Sequence, residues 1–278
     1  MPLTTTKHML LAAQKSGYAI GAFNIENMEM AQAVVMAAEE TATPVIVQTT
    51  PSTVKYASAG LFHAMVSSLA KASKIPIALH LDHGNSFGMA QQALESGYTS
   101  IMIDGSALSF EENIKLTSRV TTVSTRKQIP VEAELGKVGG KEDGMDGGAG
   151  NYTDPQMAKD FIKRTKITSL AVAIGTAHGI YSTKPILDIE RLKKIRKIVD
   201  IPLVLHGASG LSQDQIRECI ASGICKVNFA TELRQAYKSG LDDFIKNNPH
   251  SYDPKTYGTA SRNAVKELVI KMIEICKP

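Results

Sequence analysis

The sequence predicts a single-domain α/β fold over residues 1–278, a closed (β/α)8 TIM barrel, from three observations. Apolar β-type runs alternate with helix-period segments from one end of the 278 residues to the other. The alternation repeats eight times with short connections, which suits a closed barrel better than an open sheet. Three of the runs end in a histidine followed at once by glycine: His83 in IALHLDHG, His178 in LAVAIGTAHG and His206 in PLVLHGASG. A strand end followed by glycine is where such a barrel places its chemistry.

In order, the apolar runs place strands at Tyr18–Ile25, Pro44–Thr50, Ile75–His83, Ser100–Gly105, Ile129–Leu135, Ser169–Ile174, Ile201–Gly207 and Lys226–Thr231. Helix periodicity falls between them at Met28–Glu40, Ala59–Ala72, Phe87–Ser96, Phe110–Thr122, Asp154–Thr165, Asp188–Val199 and Ser212–Ser222, with Glu232–Lys246 after the last strand. Two segments break the rhythm. LGKVGGKEDGMDGGAGNYT, Leu135–Thr153, is rich in Gly and Asp and reads as a long mobile loop after strand five. A helical pattern from Ala260 to Cys276 reads as a C-terminal extension packed on the barrel.

Composition narrows the class. Hydrophobic residues make up 43% and charged residues 21%, enough apolar material for a sizeable core. The net charge of +4 is spread along the chain, and no basic run argues for a nucleic-acid partner. No apolar run approaches a membrane span, and the N-terminus lacks the layout of a signal peptide. Cys219, Cys225 and Cys276 form no metal-type spacing and read as reduced, buried thiols. The expected location is cytoplasmic.

Three imidazoles converging on one barrel mouth, with Asp82 beside the first, suit a catalytic metal with an open coordination position. A lone histidine is more often a satisfied core residue, and His80 keeps that reading, pointing into the barrel. Asp104 ends strand four, and Glu132 and Glu134 alternate onto one face of strand five. An inward acid is costly unless it is paired or metal-bound. These acids therefore either pair with Lys226 or serve a metal, Asp104 and Glu134 being the candidates for the second role. HGASG on strand seven and NFAT on strand eight together suggest a phosphate site built from backbone N–H groups. Strand six carries no lysine, and Lys226 is expected at the start of its strand, near the opposite face. Activation by metal is thereby favoured over activation through a lysine imine.

Together, ALHLDHG, EAELGKVGGKEDG, AVAIGTAHGIY and PLVLHGASG resemble the class II, zinc-dependent ketose-bisphosphate aldolases, which include fructose- and tagatose-1,6-bisphosphate enzymes. The resemblance runs from GAFNIEN to the YDPK region. It implies Zn2+, or another divalent ion, on His83, His178 and His206, and an alternative metal position at Asp104 and Glu134. Asp82 would handle the C4 hydroxyl proton, and Glu142 in the loop after strand five the C3 proton of dihydroxyacetone phosphate. Gly179, Gly207, Ser209, Asn228 and Thr231 would hold the dihydroxyacetone-phosphate end, with a monovalent cation, Na+ or K+, in support. Asn24 and Thr50 fall at strand ends where family members contact substrate. Lys255, in Asp253-Pro254-Lys255, stands where many members have arginine, and Arg262 is a second candidate for the distal phosphate. Lysine there supplies a point charge without bidentate geometry. Lys141 stands where some members carry a second Glu, and GSALSFEEN replaces the His-His-Pro-type loop of many members.

The NFATEL and AIGTAHG wording leans toward the tagatose branch. The implied function is reversible cleavage of a ketose 1,6-bisphosphate by a homodimer or homotetramer. The competing readings are a related aldolase for another phosphorylated keto-sugar, such as a deoxy-keto-gluconate phosphate, and a non-catalytic phosphosugar-binding subunit. The presence of Asp82, Glu142 and all three histidines speaks against the last. A hydrolytic metal barrel would carry His-x-His on strand one, and GAFNIEN has no His.

Overall fold

The structure, a computed structural model, describes residues 2–142, 145–146, 150–179, 181 and 185–277, with backbone alone at 141, 142, 145 and 146. The chain opens with α1 (Thr6–Ser16), β1 (Ile20–Asn24), α2 (Met28–Glu40), β2 (Val45–Thr49), α3 (Pro51–Ala57) and α4 (Ala59–Ala72). It continues through β3 (Ile77–Gly84), α5 (Phe87–Glu95), β4 (Ser100–Ile103), α6 (Phe110–Arg126) and β5 (Val131–Leu135). Next come β6 (Gly139–Glu142), β7 (Met145–Asp146), α7 (Pro155–Thr165), β8 (Ser169–Val172), β9 (Ala177–His178) and α8 (Ile189–Ile198). It ends with β10 (Leu203–Leu205), α9 (Gln213–Ala221), β11 (Ile224–Phe229), α10 (Thr231–Asn247) and α11 (Pro254–Cys276). Eight of the strands, all parallel, close into a barrel in the order β1-β11-β10-β8-β5-β4-β3-β2.

Strand alternation divides the side chains into two layers. Outward residues such as Phe23, Val47, Leu79, Ile101, Leu170 and Phe229 join the apolar faces of the helices in the main core. Inward residues fill the barrel. At its lower end α1 acts as a plug, setting Met9, Leu10 and Ala13 against Ile20, Ala22, Ile46 and Ala78. Higher up the filling turns polar: His80, Glu132 and Lys226 are buried in the interior. Helices start where short polar side chains satisfy open backbone N–H groups. Asn27, Ser86, Asp154 and Asp188 cap α2, α5, α7 and α8, while Ser109–Glu112 and Ser212–Gln215 form capping boxes on α6 and α9.

Four departures from the sequence expectations bear on the site. The plug α1 and the short α3 were not expected from periodicity. The C-terminal helix begins at Pro254, capped by Asp253, six residues before Ala260. Strand eight begins at Ile224, so Lys226 sits inside the strand and inside the barrel, fully buried, and not near the opposite face. Finally, β8 ends at Val172, and His178 does not close it. The chain turns at Gly175 (φ +107°), and Ala177–His178 forms β9, pairing in parallel with Gly139–Gly140 of β6. The base of the long loop after β5 is thus part of a second, three-stranded sheet, β7-β6-β9.

Candidate metal centre at the barrel mouth

The site is built at the C-terminal ends of the strands. His83 is placed by a backbone irregularity: its φ is +49°, and the pairing of β3 with β4 shifts register between Leu81 and Gly84. A left-handed histidine is uncommon and carries strain of the kind found at functional sites. Its effect is to break the alternation, so that Asp82 and His83 both face the mouth. Gly84 is required beside it, because a Cβ there would lie 2.4 Å from the Met102 carbonyl oxygen. Gly207 serves His206 in the same way, with φ +65° and the Ala177 carbonyl 2.6 Å from where a Cβ would be.

The three histidines come together. Ring centroids of His83 and His206 are 4.6 Å apart, those of His83 and His178 5.0 Å, and those of His178 and His206 6.0 Å. One nitrogen from each lies within 4.8 Å of the others. His83 Nδ1 is 2.9 Å from Asp104 Oδ2, and His206 Nε2 is 3.0 Å from Glu132 Oε1. Each carboxylate accepts an N–H there, which directs His83 Nε2 and His206 Nδ1 at one another, 2.9 Å apart. With the outer protons so engaged, the facing nitrogens present lone pairs, an arrangement that a bound cation satisfies. Neutral imidazole donors with their far nitrogens hydrogen-bonded fit a borderline-soft divalent ion. A second group, His83, Asp104 and Glu134, also brings one ligand atom from each residue within 4.8 Å. Glu134 Oε1 accepts the Val138 N–H, while Oε2 is buried without a hydrogen-bond partner among the described residues. That orphaned oxygen fits a cation position adjoining the first.

Electrostatics follow from burial. Burial, with the nearby Asp104 charge, pushes the Glu134 carboxyl up to about 8. For Asp104, burial opposes ionisation, but the His83 hydrogen bond and charge outweigh it and hold the carboxyl well below the usual range. Glu132 behaves likewise: burial is overcome by the Lys226 ammonium and the His206 hydrogen bond. His80 is pushed down to about 3 by burial and by Lys226, and His206 is lowered by burial.

Asp82 is completely buried beside the histidines. Its Oδ2 accepts from Asn24 Nδ2 at 2.9 Å and its Oδ1 from Asn228 Nδ2 at 3.1 Å. Gln48 Nε2 in turn donates to Asn24 Oδ1 at 2.6 Å. Asn228 Nδ2 also lies 3.2 Å from His206 Nε2, which sets the acid beside the histidine cluster.

The other expected site residues distribute as follows. Gly179, Ser209 and Thr231 line one cavity of about 390 Å³, together with Ala208 and Glu232. Glu232 accepts from Ser209 Oγ and from the Gly210 N–H at 2.9 Å. Thr50 is buried at the start of α3, with Thr53 Oγ1 at 3.1 Å. Lys255 is exposed and paired with Asp253 at 2.8 Å, and Arg262 donates to Gln32 of α2 at 2.9 Å. Their partners are therefore the cap residue of α11 and a residue of α2, and not the histidine cluster. The side chain of Glu142 lies outside the described residues. The two strand-five acids divide: Glu132 takes the Lys226 ion pair at 2.9 Å, and Glu134 faces the histidines. Sequence reading missed Gln48 and Glu232. Gln48 is inward on β2 one residue before Thr49, and strand alternation alone could have found it.

A closed parallel barrel with three histidines and a buried acid at its mouth is the architecture of a metal-assisted barrel enzyme. The comparisons narrow that class. Residues 4–278 match the family model described as fructose-bisphosphate aldolase class-II. Among solved structures the chain is similar to the YdjI aldolase of Escherichia coli K12, with 38% identity, a TM-score of 0.88, and coverage of 99% of this chain and 97% of that one. It shares its fold with the fructose-bisphosphate aldolase of Campylobacter jejuni, with 24% identity, a TM-score of 0.87, and coverage of 99% and 95%. The chain belongs to the class II fructose-bisphosphate aldolase family, and so to the aldolase lyases.

Proposed function

We propose that the protein reversibly cleaves a ketose 1,6-bisphosphate, fructose- or tagatose-1,6-bisphosphate, to dihydroxyacetone phosphate and glyceraldehyde 3-phosphate. The observation that carries the reading is a buried carboxylate set beside three converging imidazoles, with Asn228 lying between Asp82 and His206. Zn2+, or another divalent ion, held by His83, His178 and His206 would supply Lewis-acid polarisation of the C2 carbonyl.

The protein's own residues supply the proton handling. Asp82 takes the C4 hydroxyl proton in cleavage and returns it in condensation. Asn24 and Asn228 fix the carboxylate by donating to opposite oxygens, so the acid is aimed before substrate arrives. Glu142 handles the C3 proton, carried on a loop whose closure excludes water. Gly179, Gly207, Ser209, Asn228 and Thr231 receive the phosphate of the dihydroxyacetone end, with a monovalent cation, Na+ or K+, in support. Lys255 or Arg262 meets the distal phosphate. The working form is a cytoplasmic homodimer or homotetramer. Among the described residues, no helix is long and apolar enough to cross a membrane.

A second reading is a related aldolase for another phosphorylated keto-sugar, such as a deoxy-keto-gluconate phosphate. It is favoured by Lys255, which is exposed and held by Asp253 where a bidentate arginine would mark the distal-phosphate site. The deciding experiment measures cleavage of fructose- and tagatose-1,6-bisphosphate side by side, with Zn2+ and after chelation. Metal-dependent turnover of either sugar is expected. Turnover of neither, with full activity on a different phosphorylated ketose, selects the second reading. Activity that survives chelation, with inactivation by borohydride plus substrate, rejects both.

A further inference from the structure

Below the histidines the barrel axis is filled by charge where hydrocarbon would serve. Lys226 on β11 donates from Nζ to both oxygens of Glu132 on β5, at 3.2 and 2.9 Å. Glu132 Oε1 stands 3.0 Å from His206 Nε2. Beside the ammonium, His80 Nε2 lies 3.5 Å from Nζ and 3.9 Å from Glu132 Oε2. His80 Nδ1 is 2.8 Å from Ser100 Oγ, which accepts from Thr6 Oγ1 of the plug helix at 2.9 Å. A polar chain therefore runs from the closed end of the barrel to a histidine at its open end. A buried ion pair surrenders the hydration of both ions, and apolar residues of similar volume are often as stabilising or more so. Such a pair, in contact with a histidine of the mouth, points to a task other than stability.

We propose that the Lys226–Glu132 pair is the positioning device of His206. The ammonium holds Glu132 in one rotamer, and Glu132 accepts the Nε2–H of His206. That bond fixes the tautomer and leaves Nδ1 aimed at His83 Nε2, 2.9 Å away. Asp104 orients His83 from the opposite side of the cluster, so the facing nitrogens are set by two carboxylates on different strands. His80 gives the ammonium a second partner, which keeps Lys226 down in the barrel, away from the mouth. Lys226 thereby acts through two other residues and touches no substrate. The proposal rests on reading the mouth as a metal centre.

The test uses the whole chain, metal-free, as wild type, Glu132→Gln, Lys226→Met and the double variant. Zn2+ affinity is measured by competition with a chromophoric chelator, Co2+ geometry by its visible spectrum, and metal-free stability by urea unfolding. In Glu132→Gln the amide must keep its oxygen toward the ammonium and turn its NH2 toward His206, which demands the other tautomer. Zn2+ binding about 10–100-fold weaker, with an altered Co2+ spectrum, is expected. Adding Lys226→Met frees the amide to turn its oxygen to His206, so the double variant should bind Zn2+ more tightly than Glu132→Gln alone. A purely structural pair would shift the urea midpoint only. Wild-type affinity and an unchanged Co2+ spectrum in folded Glu132→Gln would overturn the proposal, and so would a double variant no tighter than that single one. Failure of the wild type itself to bind Zn2+ or Co2+ would instead overturn the metal-centre reading.

Discussion

Replacing Asp82 separates its chemical role from its structural one, because the two obvious substitutions leave different groups unsatisfied. In Asp82→Ala, Asn24 Nδ2 and Asn228 Nδ2 lose their acceptors in a site with no exposure. Each orphaned buried donor costs about 1–3 kcal/mol, so a loss of roughly 2–6 kcal/mol of metal-free stability is expected. In Asp82→Asn the new carbonyl still accepts from Asn24. Asn228 can turn its amide and offer Oδ1, which has no hydrogen-bond partner among the described residues. Stability should then stay within about 1 kcal/mol of wild type. Both variants lose the proposed proton carrier, and removal of a positioned acid–base group costs about 10²–10⁴ in rate. At 1.36 kcal/mol per decade that is about 3–5 kcal/mol of barrier. The assay couples dihydroxyacetone phosphate release to NADH oxidation at saturating metal, with bound metal quantified in each sample and stability followed in urea. Cleavage by metal-loaded Asp82→Asn within tenfold of wild type would refute the acid–base assignment. Equal stability of the two variants would refute the hydrogen-bond accounting.

Three further outcomes follow from the site. Metal-free stability should be highest between about pH 4.5 and 6.5 and fall on either side of that range. His80 binds its proton only near pH 3 in the fold against 6.5 when unfolded, so its contribution is complete above 6.5 and is lost as pH falls. Glu134, neutral in the fold up to about 8 against 4.5 unfolded, contributes fully below 4.5 and loses that contribution as pH rises toward 8. Glu134→Gln should flatten the alkaline limb of a urea-midpoint profile and leave the acid limb. Chelation should abolish cleavage, and added Zn2+ or Co2+ should restore it; borohydride with substrate should leave no lysine adduct by mass spectrometry. Glu142→Ala should slow C3 proton exchange of dihydroxyacetone phosphate by at least tenfold without weakening Zn2+ binding, as removal of a positioned base requires; unchanged exchange would remove Glu142 from the mechanism.

The parts of this molecule legible in its sequence are those dictated by short-range periodicity. Alternation marked the eight barrel strands because outward positions such as Val47, Leu79 and Leu170 must meet helices and are apolar. It also put Glu132 and Glu134 on one face. What alternation cannot give is which inward acid meets which inward base, since that depends on the stagger of strands far apart in the chain. Lys226 pairs with Glu132 because β11 starts at Ile224, two residues earlier than its apolar pattern suggests. The short pairing of Gly139–Gly140 with Ala177–His178 escaped for the same reason: it joins two glycine-rich turns across the mouth and has no period of its own.

That pairing changes what the long loop is for. A loop attached only at β5 could close over substrate without disturbing the histidines. Here Gly140 is in register with His178, and a Cβ on Gly140 would lie 2.2 Å from the His178 carbonyl oxygen. The strand that leads to Glu142 is therefore hydrogen-bonded to the strand that carries one of the three imidazoles. Under the proposed chemistry, any displacement of β6 is felt at His178 through the shared ladder. His83 and His206 stand on a different footing, oriented by Asp104 and Glu132 from within the barrel. Two of the three imidazoles are thus oriented from within the barrel, and the third stands on the strand paired with the base of the loop that carries Glu142.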